Sequence, residues 1–389
     1  MAQGPVKKLI SERQRIRRYE SNETLPGRTT SALLEWSSAL HPNEPEYEYI
    51  GPDGVQKEFA IGTVQGYLRE MRKVAERAFP DLLSVDPDAF NREMDAMNTG
   101  NNPDVQKGGL KQTSLMKTQS AARTFYWYFD ITSPDDITVY GKPSKPMHNE
   151  DDLFTRKDIQ SLRNHVEGPR NRALLEMLLN TGQRISAIQG LRICDVDIDQ
   201  GSFNLNTERE GLKGAANRVQ SRPLLGAKPF LAKWIDVHPF SDKPKSYVFI
   251  GSLDHHYTKP EEPLCQGTIR NMLVYTAERA KVDKPVNPHN FRHFWTTMMK
   301  QDYGLNDEEI KLLLGHKRES NGINNVYNHS ITTKLLSNTE RKFGRIDGTD
   351  RKPLTPDYCA VCDERLQPNW ICCPVCGTIY GPSGTEPRS

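Results

Sequence analysis

The stretch from Pro288 to Tyr327 constrains this chain more than any other part of its sequence. It opens with His289 and Arg292, which are three residues apart. On a helix this spacing places both side chains on one face. A guanidinium binds phosphate oxygens through paired hydrogen bonds, and an imidazole donates hydrogen bonds or carries protons. The pair therefore predicts a helix that presents anion-binding and proton-carrying groups together.

A second helix is predicted directly after this one. Asn306 is a favourable N-cap, and Glu309 occupies the capping-box position three residues later. The apolar periodicity stops at Gly315, a residue type that often ends helices, so His316 lies just beyond the helix. Tyr327 follows after a polar loop, and a phenol is a candidate covalent nucleophile. A single histidine or tyrosine here would be interpreted as an ordinary core or surface residue. The ordered set of two histidines, an arginine and a tyrosine favours phosphoryl chemistry.

Length and charge restrict the architecture only loosely. A chain of 389 residues has room for two or three domains. The net charge of +2 does not by itself indicate nucleic-acid binding. The basic cluster between Lys7 and Arg18 is equally consistent with a solvated tail and with an arm that follows DNA phosphates. Because no apolar run reaches the ~18 residues of a membrane span and the N-terminus lacks a signal-peptide core, we expect a cytoplasmic protein without membrane contact.

The N-terminal third predicts a small helical domain. Residues 1–28 are polar and basic, which predicts a flexible arm, and residues 29–130 show helical periodicity over about four segments. The last segment ends in five consecutive aromatic residues, Phe125 to Phe129. We interpret these side chains as core or domain interface rather than as a platform for stacking bases. Residues 131–152 contain three prolines and mixed charges, which predicts an interdomain linker.

Two consecutive helices are predicted around Arg184. The first is strongly apolar, covers about residues 171–180 and ends at Gly182, and Arg184 opens the second. The apolar flanks predict that Arg184 is buried. A buried arginine is costly unless it pairs with an acid or an anionic ligand, which makes Arg184 a candidate anion-binding residue.

Strand signals follow in the sequence. Residues 192–198 alternate between polar and apolar, and the stretches 202–207 and 218–225 predict the arms of an antiparallel hairpin. Lys213 lies in the predicted tip, residues 208–217. Most lysines in loops are simply solvated, so this position alone gives Lys213 no special role.

The C-terminal tail, residues 346–389, contains two Cys-x-x-Cys pairs separated by ten residues. This arrangement is typical of a zinc ribbon, in which four thiolates bind Zn²⁺ tetrahedrally. We predict a structural zinc site formed by Cys359, Cys362, Cys373 and Cys376. The adjacent Cys372 could replace Cys373 if the knuckle geometry differs. A closed four-thiolate site leaves no position for a substrate, and the sequence does not separate a DNA-binding ribbon from a protein-binding one.

The ordered residues resemble the signature of the tyrosine recombinases, the lambda-integrase and Xer-like family. The family pattern His-x-x-Arg, then Leu-Gly-His, then Tyr matches residues 289–327. The run Thr-Gly-x-Arg-Ile-Ser at residues 181–186 resembles the first arginine box of the family, and Lys213 before Pro223-Leu224 fits its hairpin lysine. The resemblance covers most of residues 153–345. It implies six site residues: Arg184, Lys213, His289, Arg292, His316 and Tyr327.

Two features depart from the family pattern. The arginine box normally carries an acid three residues after the arginine, where this chain has Ala187. The nucleophile commonly follows the Leu-Gly-His histidine by about nine residues, whereas His316 and Tyr327 are eleven apart, an insertion that a polar loop tolerates. Four other residues fit the roles of lysine and tyrosine less well: Lys228, Lys233, Tyr303 and Tyr380.

The resemblance implies a mainly α fold with a small antiparallel sheet. Residues 29–130 would form a helical core-binding domain that clamps DNA. Residues 153–345 would form the mixed α/β catalytic domain, and residues 346–389 the added zinc ribbon.

The resemblance also implies a site-specific recombinase, an integrase of a virus or mobile element, that works through a 3′-phosphotyrosine intermediate. Tyr327 would attack a DNA phosphodiester, with His289 accepting its proton. Arg184 and Arg292 would hold the non-bridging oxygens, and Lys213 would protonate the leaving 5′ oxygen. A hydrogen bond from the Leu-Gly-His histidine would assist, and no ATP or catalytic metal is expected.

The expected partner is double-stranded attachment-site DNA, bound by a homotetramer. Alternatives that use the same site are an Xer-like resolvase, a telomere resolvase and a topoisomerase. A non-catalytic DNA-binding regulator is a different class of protein, which Ala187 alone favours.

Overall fold

The structure, a computed structural model, divides into two compact units, residues 3–145 and residues 146–389. The structure describes residues 5–44, 46–103, 105, 108–141, 152–205, 221–251, 262–315, 355–367 and 370–380. The described part contains twelve α-helices and a three-stranded antiparallel sheet. This confirms the predicted mainly α fold with a small antiparallel sheet.

The first unit is helical. Its helices are α1 (Pro5–Ser21), α2 (Gly27–Ala39), α3 (Ile61–Arg77), α4 (Pro87–Thr99) and α5 (Gln112–Tyr128). Asp86 caps α4 by accepting a hydrogen bond from the backbone nitrogen of Ala89 at 2.9 Å, with proline at the first helical position. Gly100 then ends α4 in a left-handed conformation.

The prediction of a flexible arm over residues 1–28 is wrong for the part that the structure describes. Helix α1 packs on α3 and buries Leu9 and Ile16 in the core of the unit. Glu12 and Arg72 form a buried ion pair between the two helices. The basic residues obscure this pattern in the sequence because most of them occupy the outer face of α1, while the buried face holds only Leu9, Glu12 and Ile16.

The aromatic run at the end of α5 is mostly core, as predicted. Phe125 and Tyr126 are buried and make edge-to-face contacts with Trp36 and Phe90, at ring-centroid distances of 5.2 and 5.7 Å. The first part of the predicted linker also packs on this unit. Ile137 is fully buried, and its carbonyl accepts a 2.8 Å hydrogen bond from Nε of Arg123.

The second unit combines helices with the sheet. Its helices are α6 (Arg156–His165), α7 (Pro169–Thr181), α8 (Ile185–Gln189), α9 (Lys228–Asp236), α10 (Gln266–Ala280), α11 (Pro288–Gln301) and α12 (Asp307–Leu314). The strands are β1 (Val196–Asp197), β2 (Ser202–Asn204) and β3 (Ser221–Pro223), in the order β1-β2-β3. The predicted hairpin arms therefore pair antiparallel, with Phe203 opposite Arg222.

Helix α7 is the centre of the second unit. Its residues from Ala173 to Thr181 are all buried, and it packs against α9 and α11. The one carboxylate of this helix, Glu176, is also fully buried. It accepts hydrogen bonds from Arg163 at 2.7 and 2.8 Å and forms an ion pair with Arg172 at 3.1 Å. Paired in this way, a buried charge is tolerated.

The cysteine-rich tail packs on the outer side of α9. Phe230 of α9 joins Leu366 and Tyr380 in a small separate core, with the rings of Phe230 and Tyr380 6.2 Å apart. Each Cys-x-x-Cys pair lies at the start of a tight hairpin, marked by the antiparallel bridges Tyr358–Arg365 and Cys372–Ile379. The tail therefore belongs to the second unit structurally.

Candidate active site

The turn that carries Arg184 depends on a glycine. Helix α7 ends at Gly182, which adopts φ 60° and ψ 13°, in the left-handed region. A Cβ atom at this position would lie 2.5 Å from the ring of Trp295. Both the backbone conformation and the close approach of the indole therefore require glycine.

Arg184 is the N-cap residue of α8 and is exposed, contrary to the predicted burial. Its extended backbone, with φ −66° and ψ 147°, precedes the first helical residue. The inward face of α8 is occupied instead by Ala187 and Ile188, which are 4% and 1% exposed. Desolvation by the surrounding protein lowers the pKa of the Arg184 guanidinium, yet an arginine remains charged at neutral pH.

The predicted helix around His289 and Arg292 is present as α11. Asn287 caps it by accepting hydrogen bonds from the backbone nitrogens of His289 and Asn290, both at 3.0 Å. His289 is exposed, whereas Arg292 is 5% exposed. The ring of His289 stands edge-on to that of His293 at 4.2 Å, so a buried histidine supports the exposed one.

Two hydrogen bonds hold helix α11 against the end of α7 and the turn that follows it, Gly182 to Arg184, which we call the arginine turn. Nη1 of Arg292 donates to the carbonyl of Gly182 at 2.8 Å, and Nε1 of Trp295 donates to the carbonyl of Asn180 at 2.8 Å. Trp295 is 1% exposed. The structure thus brings Arg292 against the turn that ends in Arg184, although 108 residues separate the two in the sequence.

Helix α12 begins and ends as predicted and contacts the same turn. Asn306 and Glu309 form the capping box, with hydrogen bonds of 2.9 and 2.7 Å. Gly315 follows the helix in a left-handed conformation with φ 67°. In the last turn, the carbonyl of Leu313 accepts a 2.9 Å hydrogen bond from Nε2 of Gln183.

Three of the six predicted site residues, Lys213, His316 and Tyr327, lie outside the described residues. The structure also assigns contacts to two residues that sequence analysis gave no role, Gln183 and Trp295. Gln183 stands directly before Arg184, and Trp295 lies three residues after Arg292, on the same face of α11. Helical spacing was therefore the available signal for Trp295.

The four predicted zinc ligands lie together. The sulfur atoms of Cys359, Cys362, Cys373 and Cys376 are all within 4.8 Å of one another. Sγ of Cys359 is 3.5 Å from that of Cys376, and Sγ of Cys362 is 3.6 Å from that of Cys373. Zinc–sulfur bonds of ~2.3 Å in a tetrahedron place sulfur atoms roughly 3.8 Å apart, so the donor set fits Zn²⁺.

The surroundings of the cluster also suit thiolates. The backbone nitrogen of Val361 and the hydroxyl of Tyr380 donate to Sγ of Cys359, at 3.4 and 3.3 Å. Such donors stabilise a metal-bound thiolate. Cys372 is not part of the cluster, so the alternative in which it replaces Cys373 is not supported.

Comparison with known proteins connects this site to a family. Residues 153–334 match the model of the phage integrase family. The tyrosine recombinase XerD of Halalkalibacterium halodurans is 26% identical over 244 residues, covering 59% of this chain and 75% of the relative. The tyrosine recombinase XerC of Lacticaseibacillus casei is 26% identical over 308 residues, covering 74% and 94%.

Two solved structures share the fold. The Tn1549 transposon integrase in complex with transposon right end DNA has a TM-score of 0.54 at 17% identity, covering 73% of this chain and 95% of the other. A lambda integrase dimer bound to a COC′ core site has a TM-score of 0.51 at 13% identity, covering 70% and 91%.

Among the described residues, no helix combines the length and the apolarity that a bilayer span requires. The family model covers the arginine turn and helices α11 and α12, the elements that carry the candidate site. Together with the similarity to the recombinase relatives, this match identifies residues 153–334 as a phage integrase domain and the protein as a tyrosine-type site-specific recombinase.

Proposed function

We propose that this recombinase cuts and rejoins DNA through a 3′-phosphotyrosine intermediate formed by Tyr327, as an integrase of a virus or mobile element. Oη of Tyr327 attacks the phosphorus of a DNA phosphodiester, and the bond from phosphorus to the 5′ oxygen breaks. The phenol proton passes to His289, and Lys213 gives a proton to the 5′ oxygen as it leaves. The products are a phosphotyrosine ester and a free 5′-hydroxyl.

The observation that carries this proposal is the hydrogen bond from Arg292 to the carbonyl of Gly182. It holds one guanidinium beside the turn that ends in the exposed Arg184. Negative charge grows on the non-bridging oxygens in the transition state, and positioned guanidinium groups stabilise it. We assign this role to Arg184 and Arg292, and an additional hydrogen bond to His316.

The proposed chemistry conserves the energy of the phosphodiester. The ester bond to tyrosine replaces the bond to the 5′ oxygen, so the chemistry needs neither ATP nor a catalytic metal. A 5′-hydroxyl from a second duplex then attacks the phosphotyrosine and reverses the step. Four protomers acting on two duplexes would exchange strands through a Holliday junction.

DNA binding by the helical unit is supported by a basic groove between α3 and α5. The groove has a volume of about 230 Å³ and is lined by Arg69, Lys73, Arg77 and Lys117. The α3 residues are four apart, so they form one stripe along the helix. Glu70 partly neutralises Arg69 and Lys73, whereas no ion pair among the described residues involves Arg77 or Lys117. Both solved structures named above contain DNA, which agrees with this partner.

We also propose that the cysteine cluster binds one structural Zn²⁺. Its four donors leave no coordination position for a substrate. The ribbon itself is acidic, because the described residues 355–367 and 370–380 contain Asp357, Asp363 and Glu364 but a single basic residue, Arg365. A DNA contact by the ribbon is therefore disfavoured.

An Xer-like resolvase is the second candidate function, because the curated relatives are Xer recombinases. Both functions use the same cleavage site, and they differ in the arrangement of the DNA sites. A non-catalytic regulator is favoured by Ala187, a small buried residue where an acid is usual. Covalent chemistry separates the regulator from the two enzymes.

The test is a suicide substrate that carries a nick near the crossover site, followed by a denaturing gel. The native protein should form a covalent adduct with the DNA, and Tyr327→Phe should bind equally well but form none. Tyr303→Phe is the matched control and should form the adduct at the native rate. An adduct with Tyr327→Phe would place the nucleophile elsewhere, and no adduct with the native protein would favour the regulator.

A further inference from the structure

The carbonyl of Leu313, in the last turn of α12, accepts hydrogen bonds from two side chains of distant parts of the chain. Nε2 of Gln183 lies 2.9 Å from this oxygen, and Nε of Arg222 lies 3.1 Å from it. Gln183 and Arg222 are 3% and 2% exposed. Water therefore does not compete for these donors, and the two hydrogen bonds hold the three residues in a defined arrangement.

The shared oxygen connects three segments of the candidate site. Gln183 directly precedes Arg184, and Arg222 lies on β3, the first described strand after Lys213 in the sequence. Leu313 lies three residues before His316 in the sequence. If one of these segments moved, its hydrogen bond at the Leu313 oxygen would stretch. This oxygen therefore couples the positions of the three segments.

The burial of Arg222 is costly for a residue with only a packing role. No carboxylate contacts it among the described residues, and its Nη1 is buried without a hydrogen-bond partner there. The cavity beside it, also lined by Gln183, Leu313 and Trp295, has a volume of about 10 Å³, room for one water at most. An apolar side chain would fill this place without the desolvation cost of a charge. An apolar residue could not donate the hydrogen bond that Arg222 makes to the carbonyl of Leu313.

We propose that Arg222 is a positioning residue of the recombinase, which holds the end of α12 against the arginine turn and so fixes the orientation of Arg184. The proposal rests on the function proposed above, in which Arg184 binds the scissile phosphate. A guanidinium recognises phosphate through a rigid fork, so its contribution depends strongly on orientation. A misplacement of about 1 Å costs up to roughly 100-fold in rate.

The first experiment compares Arg222→Met with Arg222→Lys by the rate of adduct formation on the nicked substrate. We expect Arg222→Met to slow cleavage by about 10- to 100-fold, with DNA affinity changed less than about twofold. Arg222→Lys keeps a donor that reaches the Leu313 oxygen and should recover most of the rate. The matched control is Arg170→Met, because Nη1 of Arg170 donates to another backbone carbonyl, that of Ile250, at 3.0 Å. Arg170 lies at the opposite end of α7 and its replacement should leave the rate unchanged.

The second experiment repeats Arg222→Met in an Arg184→Lys background. A lysine ammonium lacks the planar fork of a guanidinium, so the cleavage rate of the Arg184→Lys variant should depend less on the orientation of the turn. We expect Arg222→Met to slow this variant by less than about threefold. An equal slowing in both backgrounds, failure of Arg222→Lys to recover activity, or equal slowing by Arg170→Met would overturn the proposal.

Failure of the proposed function gives a different result. If Arg184→Lys and Arg184→Ala both form the adduct at the native rate, then Arg184 does not bind the phosphate, and the site assignment is wrong. If they slow cleavage but Arg222→Met does not, the site assignment stands and only the positioning role of Arg222 is lost.

Discussion

Gly182 shows how one residue sets the position of two arginines. Its left-handed backbone ends α7, and its missing side chain leaves room for the indole of Trp295. Its carbonyl accepts the hydrogen bond from Arg292, and Arg184 follows two residues later. The exposed guanidinium of Arg184 and the buried one of Arg292 therefore depend on the same turn.

We predict that Gly182→Ala will destabilise the second unit and slow cleavage. The left-handed conformation costs an alanine about 1–2 kcal/mol, and displacement of Trp295 adds a packing cost of about 1–3 kcal/mol. Denaturant unfolding and adduct formation measure the two effects. Gly304→Ala is the control, because Gly304 in the same unit has φ 69° but a Cβ atom there would meet nothing within 4 Å. The clash explanation fails if the two variants are destabilised equally.

Lys213, which lies outside the described residues, is the candidate acid for the leaving 5′ oxygen. Lys213→Ala should slow cleavage by about 10²–10⁴-fold if it protonates the leaving 5′ oxygen. A substrate with sulfur at the 5′ bridging position should recover most of the rate, because a thiolate leaves without a proton donor.

The same sulfur substrate should not rescue Arg184→Ala, which lacks charge stabilisation instead. Rescue of Lys228→Ala or Lys233→Ala would show that the lysine assignment is wrong. If no lysine variant is rescued, His289 or water becomes the candidate acid.

At the scale of elements, the ribbon and α9 share a small core. The ring of Phe230 contacts that of Tyr380, and the guanidinium of Arg172 lies over the Phe230 ring, 4.8 Å from its centroid. Lys233 of α9 also faces Asp363 of the ribbon at 3.8 Å. A segment as short as the ribbon buries too little surface to fold alone, so we expect the proposed zinc and this contact to hold it together.

We predict that the ribbon carries one zinc per chain and that Cys376→Ser loses it. Loss of a structural zinc unfolds the element that it organises, so hydrogen exchange should increase in residues 355–380 and at the ribbon-facing side of α9. The rest of the second unit should keep its protection, since its main core excludes the ribbon residues. Cys372→Ser should retain the metal because Cys372 lies outside the cluster. Elemental analysis that finds no zinc in the native protein would contradict this prediction.

Over the chain as a whole, the net charge is small, but positive charge is concentrated in one place. The chain has 52 basic and 50 acidic residues, yet the groove between α3 and α5 gathers four cations around one acid. Attraction to a phosphate backbone depends on such local clusters more than on the net charge. The described residues of the ribbon are the opposite case, with three acids and a single basic residue.

We predict that Arg77→Gln and Lys117→Gln each weaken DNA binding and reduce its salt dependence. Each lost phosphate contact should lower the slope of log affinity against log salt by about 0.9. Fluorescence anisotropy over a range of salt concentrations measures this slope. Arg92→Gln is the control, because Arg92 lies in the same unit, is 74% exposed at its side chain and faces Asp86 at 3.9 Å. Equal slopes for all three variants would exclude the groove as a phosphate-binding surface.

Local features of the site were readable from the sequence because their physical causes are local. The capping box at Asn306, the shared helical face of His289 and Arg292, and the glycine stops at Gly182 and Gly315 involve residues at most four apart. The two Cys-x-x-Cys pairs are equally short-range, and their chemistry admits few uses. The roles of Lys213, His316 and Tyr327 stay predictions, since they rest on resemblance.

Which distant residues meet depends on how the helices and strands pack, and this was not readable from the sequence. The burial of α1 depends on α3 offering a complementary face, and the basic residues of α1 suggested a mobile arm instead. Arg184 was predicted to be buried from its apolar neighbours, but the turn at Gly182 directs those neighbours inward and leaves the arginine exposed. The hydrogen bonds of Gln183 and Arg222 to one oxygen of Leu313 join residues 130 and 91 positions apart. Periodicity assigns a residue to a face of its own helix or strand, and only the packing of the elements determines what that face meets.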